Sequence, residues 1–307
     1  MNDSINQAVT VLNAGGLVGL PTETVYGLAA DAHSPSAIKK IFAAKGRPAD
    51  HPLIVHIADI SQLSDWARDV TPLAMQLARR YWPGPMTLIL KKHLSVFDLI
   101  TGGQDTVGIR LPAHPIAREV LQAFGRGVVA PSANRFGRIS PTTAAAVFEE
   151  LGNKVDLILD GGASEVGLES TIIDVTGQHA KILRPGMISA AQIEAFLASP
   201  LSKDIAPVKI RVSGSHDSHY APVTLTRMVS ASEMLALVAK ANPSFGLLAF
   251  KSTPAPMPDD PQAYAHCLYQ RLRALDKLNL SCIYIEDLPA DVAWDAIRDR
   301  VYRASSQ

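Results

Sequence analysis

Apolar residues recur at helical spacing at the start of the chain, at Ile5, Ala8, Val9 and Leu12, until Gly15 and Gly16 stop them. The run GLVGL that follows predicts a strand. From Pro35 to about Lys45, Ile38, Ile41 and Phe42 fall on one helical face, and LIVHI after them is a short strand of buried character. The alternation continues: PLAMQLARRYW predicts a helix, MTLILK and TVGIRL strands, HPIAREVLQAF a helix, GVVA a strand, and TTAAAVFEELG a helix ended by Gly152. VDLILD, STIIDV and KILR then make a strand-rich region before the short helix SAAQIEAFL. Residues 1–200 therefore predict one mixed α/β domain.

The pattern breaks in PLSKDIAPVKIRVSGSHDSHYAP, which is poor in long apolar runs and rich in Ser, His, Pro and Gly; residues 201–222 predict an interdomain linker. Over residues 223–307, VTLTRMV, a helix from Ala231, FGLLAF, a helix around Tyr264 to Leu275, CIYIE and a last helix from Asp291 alternate as in a small parallel α/β unit.

The composition fits two packed domains: 307 residues, 47% hydrophobic and 19% charged. Lys and Arg number 17 against 18 Asp and Glu in residues 1–200, and 12 against 11 beyond, so neither part has the basic excess of a protein that lives on nucleic acid. Cys267 and Cys282 lack metal-type spacing and read as small apolar packers in a reduced compartment, the cytoplasm. MNDSINQAVT has no basic and apolar leader pattern, and no apolar run approaches the ~18 residues of a membrane span. These features predict a soluble, unexported protein.

Common catalytic signatures are absent: no G-x-x-x-x-G-K-[ST], no G-x-G-x-x-G after a strand, no H-E-x-x-H and no G-x-S-x-G. The nine histidines are scattered, which argues against a protein-built metal cage. What remains is a series of polar groups where strands end. In KGRPADHPLIVHI, Gly46 suits the residue after a helix, so Lys45 reads either as a cation at a helix C-terminus or as an anion ligand. Pro48 pushes Arg47 towards extended geometry, in which Lys45 and Arg47 converge, and convergent cations call for an anion between them. PTETVYGL follows a strand, so its hydroxyls, Thr22 among them, either contact substrate or bond their own turn. In VVAPSANRFGRISPT, extended chain would point Ser132 and Asn134 the same way, and Ser140 is a helix N-cap, an anion contact, or both. Arg110 and Arg184 each finish an apolar strand with a guanidinium, which reads as a rim salt bridge or as part of one electropositive cleft.

PTETVYGLAADA, AKGRPADHPLIVHI, WPGPMTLIL, DTVGIRLPAHP, APSANRFGRISPT, GLESTIIDV and ILRPGMIS, in this order, resemble the YrdC/Sua5 family; SGSHDSHYAP resembles its interdomain linker and RALDKLNL its Sua5-type C-terminal domain. The resemblance covers nearly the whole chain. It implies a YrdC-like mixed-sheet α/β domain followed by a smaller Rossmann-like parallel α/β domain. It also implies an L-threonylcarbamoyladenylate synthase, a nucleotidyltransferase that makes threonylcarbamoyl-AMP and pyrophosphate from L-threonine, bicarbonate or CO₂, and ATP. The product would feed the N6-threonylcarbamoyl modification of adenosine 37 in tRNA, with separate proteins performing the transfer.

The family's KxR…SxN signature falls on Lys45, Arg47, Ser132 and Asn134, with Lys45 and Arg47 in the catalytic role. By the same matching, Thr22, His56, Arg110 and Ser170 would lie near the threonine. Lys45, Thr106, Ser132, Asn134, Ser140 and Arg184 would lie near ATP, with Tyr220 closing over the site from the linker. Magnesium would arrive with the triphosphate and keep most of its waters. The closing segment DVAWDAIRDRVYRAS departs from the family's Gly-rich, Asn-containing ending. Two other readings compete: a module whose concave positive surface holds double-stranded RNA, and the carbamoyl transfer of hydrogenase-maturation proteins. The neutral halves argue against the first and the two lone cysteines against the second, which should bring zinc-finger segments.

Overall fold

The structure, a computed structural model, describes residues 3–202, 210–214, 220–251 and 253–306. Its first part is built on nine strands: β1 (Val18–Leu20), β2 (Gly27–Asp31), β3 (Ile54–His56), β4 (Met86–Lys91), β5 (Thr106–Arg110), β6 (Val128–Val129), β7 (Leu157–Ile158), β8 (Thr171–Asp174) and β9 (Lys181–Arg184). They form one mixed sheet in the order β7-β1-β2-β6-β3-β5-β4-β8-β9. The β1/β7, β3/β5 and β4/β8 pairs are parallel and the others antiparallel.

Side-chain alternation divides this sheet between two cores. Leu28 and Ala30 of β2 join Ile38 and Ile41 of the helix Pro35–Lys45, whereas Ala29 between them joins Ile5 and Leu12 of the helix Asp3–Asn13 and Val120 and Leu121 of the helix Pro115–Phe124. The strand β2 itself, GLAAD, is invisible as a pattern because three of its five residues are Gly or Ala. All five are buried nonetheless, and small side chains let both helical layers approach the sheet. Of the expected strand VDLILD, only Leu157 and Ile158 pair, with β1.

The second part carries β10 (Thr226–Val229), β11 (Phe245–Leu248) and β12 (Cys282–Glu286), in the order β10-β12-β11 and parallel throughout, as expected of a small parallel unit. Tyr264, Leu268 and Leu272 of the helix Pro261–Asp276 and Ile297 and Val301 of the helix Asp295–Ser305 form its core, and Val25, Ile139 and Leu168 of the first part join the same cluster. The two parts thus share an apolar cluster that joins them. Of the expected linker, residues 203–209 and 215–219 lie outside the described residues. The segment 210–214 crosses the sheet face as a strap, with Val212 packed on Ile89 of β4 and Ile172 of β8. Among the described residues, no helix is long and apolar enough to cross a membrane.

Candidate active site

One hollow collects side chains from seven separated stretches of the chain. Its wall includes Thr22, Arg47, His56, Arg110, Ser132, Ser170, Arg184 and Tyr220, together with Thr24, Glu169, Ser213 and Gly214. Register explains part of this: His56 and Arg110 end neighbouring parallel strands and are direct partners. Arg110 donates from Nη2 to Glu23 Oε1 (2.6 Å), from Nη1 to Thr24 Oγ1 (2.8 Å) and from Nε to the Gly84 carbonyl (3.2 Å). A buried guanidinium needs such a counter-charge, and Glu23, equally buried, supplies it. His56 has its pKa pushed down to about 3, first by burial and then by the Arg110 charge, so it stands neutral at physiological pH.

The Thr22 hydroxyl bonds its own turn. Its Oγ1 donates to the Val25 carbonyl at 2.6 Å and accepts from the Thr24 and Val25 amides at 3.3 Å, which makes the turn, and the turn places it in the wall. Ser170 Oγ lies 2.8 Å from Thr87 Oγ1 and accepts from Arg184 Nη2 at 3.2 Å, and the Ser170 carbonyl takes Nη2 of the same arginine at 2.8 Å.

Lys45 and Arg47 are separated by a tight turn rather than set in an extended segment, and Arg47 lines the hollow while Lys45 lies off its wall. Ser34 caps the helix Pro35–Lys45 at its N-terminus; at its C-terminus Gly46 adopts φ 64°, and the Arg47 amide returns to the Phe42 carbonyl at 3.0 Å. Lys45 is therefore a helix C-terminal cation and a buried one. Its Nζ donates to the carbonyls of Ser132 (2.5 Å) and Asn134 (2.6 Å), and burial, then the Arg47 charge, holds its pKa well below the ordinary lysine value. Arg47 reaches the Pro52 carbonyl (2.9 Å) and Ser213 Oγ (3.2 Å) from Nη2, while its buried Nε has no hydrogen-bond partner among the described residues. Burial draws its pKa down to about 10.

Other expected residues sit off the wall. Asn134 does not face the same way as Ser132: its Nδ2 turns back to the carbonyls of Arg135 and Arg138, both at 2.8 Å, and bridges its own loop. Ser140 is not the N-cap of the helix Ala144–Leu151. Thr143 holds that place, and Ser140 Oγ instead donates to Glu169 Oε1 at 2.5 Å, behind the wall. Thr106 opens β5 in a smaller depression under the strap, beside Gln104, Arg211 and Val212. Tyr220 is in the wall and almost wholly buried, at φ 62°, a left-handed conformation uncommon for a side-chain-bearing residue.

Sequence reasoning assigned no role to Glu23, Glu169, Ser213 or Arg300. Ser213 joins two of the cationic groups: its hydroxyl accepts from Arg47 and its carbonyl from Arg184 Nη1 at 2.9 Å. The only local signal for Glu23 and Glu169 was their place inside PTETV and GLEST, next to the hydroxyls that were read. Among the described residues, no group of three or more His, Cys, Asp and Glu side chains is placed to hold a metal ion.

Three buried guanidiniums gathered at strand ends and loops, a neutral histidine and several hydroxyls make an electropositive hollow on this α/β scaffold. Residues 10–186 match the Sua5/YciO/YrdC family model, described as telomere recombination, and residues 188–306 match the model described as threonylcarbamoyl-AMP synthase, C-terminal domain. The chain belongs to this family, in its two-domain form. It is 36% identical to a threonylcarbamoyl-AMP synthase of Pyrococcus abyssi over 98% of this chain and 94% of that protein. It is 43% identical to that of Bacillus subtilis over 71% of this chain and 64% of the relative. The crystal structure of P. abyssi Sua5 complexed with L-threonine superposes with a TM-score of 0.89 at 36% identity, covering 98% and 94% of the two chains.

Proposed function

We propose that this protein is an L-threonylcarbamoyladenylate synthase and that the hollow is where it forms threonylcarbamoyl-AMP. Threonine and bicarbonate or CO₂ give a carbamate; a carbamate oxygen attacks the α-phosphorus of ATP, and the bond to the β-phosphate oxygen breaks to release pyrophosphate. The observation that carries this reading is the burial of Arg47, Arg110 and Arg184 in one wall. Anion must approach anion in this reaction, so the demand on the protein is charge neutralisation and alignment rather than a nucleophile.

The support divides by residue. Arg110, held flat by Glu23 and Thr24 beside the neutral His56, suits a carboxylate, and Thr22 and Ser170 add hydroxyls to the threonine end. Arg47 and Arg184 suit phosphate oxygens, which would take over the donors now shared by Ser213, and Arg47 Nε adds a further donor. Lys45 spends two of its three N–H groups on the Ser132 and Asn134 carbonyls, so it braces that loop and has one left for a phosphate. Ser132 faces the nucleotide from this loop, Asn134 and Ser140 act from behind the wall, and Thr106 lies apart in the depression under the strap. Magnesium enters as part of the nucleotide substrate. The product passes to separate proteins that modify adenosine 37 of tRNA, in the cytoplasm.

The test is pyrophosphate release by the purified chain, which should require ATP, threonine and bicarbonate together. Serine should substitute with a loss of about ten- to a hundredfold, the range a missing methyl commands. Turnover that ignores threonine would overturn the assignment. So would salt-sensitive binding of double-stranded RNA without any turnover, which would favour the RNA-binding reading.

A further inference from the structure

Glu169 lines the hollow, yet most of what holds its carboxylate comes from the other domain. Ser140 Oγ donates to Oε1 at 2.5 Å from the first part. Tyr269 Oη, from the helix Pro261–Asp276, lies 3.0 Å from Oε2, and Arg300 Nε, from the helix Asp295–Ser305, lies 2.7 Å from the same oxygen. Arg300 has no solvent exposure at all. Its Nη1 pairs with Asp299, its Nη2 reaches the Pro185 carbonyl at 3.1 Å, and its Cζ stands 5.0 Å from the centre of the Tyr220 ring. Tyr220 stacks in turn on Tyr269, 6.0 Å between centroids and 26° between planes.

A fully buried ion pair is a weak source of stability, because desolvation offsets most of its attraction. Stability alone is therefore a poor reason to drive an arginine from the last helix into the wall of a site in the other domain. The same residue touches two parts of that wall, the loop that carries Ser170 and the ring of Tyr220.

We propose that Arg300 is a positioning residue for the adenylation reaction: through Glu169 it holds the Glu169–Ser170 loop and through its cationic face it holds Tyr220, and this is what the C-terminal domain contributes to catalysis. Tyr269 assists from the neighbouring helix. The inference rests on the functional reading above. Its electrostatics agree with the geometry. Burial pushes the Glu169 carboxyl up, but the Arg300 charge, then Arg184 on β9, then the Ser140 hydroxyl bring it below the ordinary carboxylate value. Tyr220, Tyr269 and Asp299 complete the titratable groups around the cluster. Without Arg300, burial would be opposed mainly by Arg184, Glu169 would take up a proton at higher pH, and one of the two oxygens that accept from Ser140 and Tyr269 would become a donor as pH falls.

The experiment compares the wild-type full chain with Arg300→Met, Arg300→Lys, Glu169→Gln and the double variant Arg300→Met/Glu169→Gln. Each is followed by threonine-dependent pyrophosphate release across pH, with thermal melting of each protein alongside. Arg300→Met should lose about tenfold or more in kcat/KM at neutral pH, and the acid limb of its profile should move up by about one pH unit. Arg300→Lys should recover part of the rate with the limb near that of the wild type. The double variant should be no slower than Glu169→Gln and should show no displaced limb, because the titrating group is gone. An unmoved limb in folded Arg300→Met, or losses that multiply in the double variant, would overturn the proposal. Should Arg300→Met fail to fold, Tyr269→Phe removes another donor to the same carboxylate and should also raise the limb; an unmoved limb there together with a wild-type rate in Arg300→Lys would overturn the proposal. A wild-type chain that releases no pyrophosphate overturns the functional reading and this inference with it, whereas variants that keep the rate and the limb of an active wild type overturn the inference alone.

Discussion

Gly214 lies directly against the phenol of Tyr220: a Cβ at position 214 would stand 1.9 Å from Tyr220 Oη. Gly214 also adopts φ 85°, where a side chain is strained whatever the space. The strap and the buried tyrosine are therefore fitted to each other at a residue with no room to grow. Gly214→Ala should push Tyr220 out of the wall and lower kcat/KM about tenfold or more. Its thermal midpoint should change by only a few degrees, since the strap is not part of the main core. Unchanged kinetics would mean that the strap does not form the site.

Lys45 is expected to matter twice. Lys45→Met keeps the volume but strips the donors from the Ser132 and Asn134 carbonyls, which should cost about 1–3 kcal/mol in urea unfolding as well as abolish pyrophosphate release. A purely electrostatic role at a phosphate would leave unfolding unchanged, so equal stability with lost turnover would refute the bracing role.

The Glu23–Arg110 pair separates charge from hydrogen bonding. Glu23→Gln retains an acceptor for Arg110 but removes the charge that orients it, so the KM for threonine should rise more than the KM for ATP. Glu23→Ala leaves a buried guanidinium without its carboxylate and should destabilise the fold by about 3–5 kcal/mol. Equal rises in both KM values would remove Arg110 from the threonine end.

His56 makes stability depend on pH in a defined window. Its folded pKa, about 3, lies below the ordinary value of 6.5, so between these two the unfolded chain binds the extra proton. Stability contributed by this residue is complete above the ordinary value and falls as pH drops through the window, with a limiting slope of about 1.4 kcal/mol per pH unit. Chemical denaturation midpoints measured from neutral to acid pH should show this fall, and His56→Gln should flatten it. A parallel fall in the variant would assign the acid sensitivity to other groups.

Much of the site was legible because strands that end in cations and hydroxyls announce it locally. Arg110, Arg184, His56 and Ser170 stand beside or within apolar runs, and Gly46 marks the turn that brings Arg47 back. Where the reading failed, the cause was competition between similar residues. Ser140 and Thr143 are both sound N-caps three positions apart, and only the contact with Glu169 decides between them. Asn134 prefers its own loop carbonyls to an extended strand, a local bond that spacing alone does not reveal.

The sequence by itself determined the alternation of helices and strands, the two-part organisation and the concentration of cations at strand ends, since period, Gly and Pro act over a few residues. Only the tertiary structure decided that Glu169 meets Arg300, 131 positions away, and that Ser213 lies between Arg47 and Arg184. A carboxylate or a guanidinium carries no local mark of its partner. The pairing follows from how two sheets and a strap pack, and the cost of burying a lone charge then makes the contact obligatory.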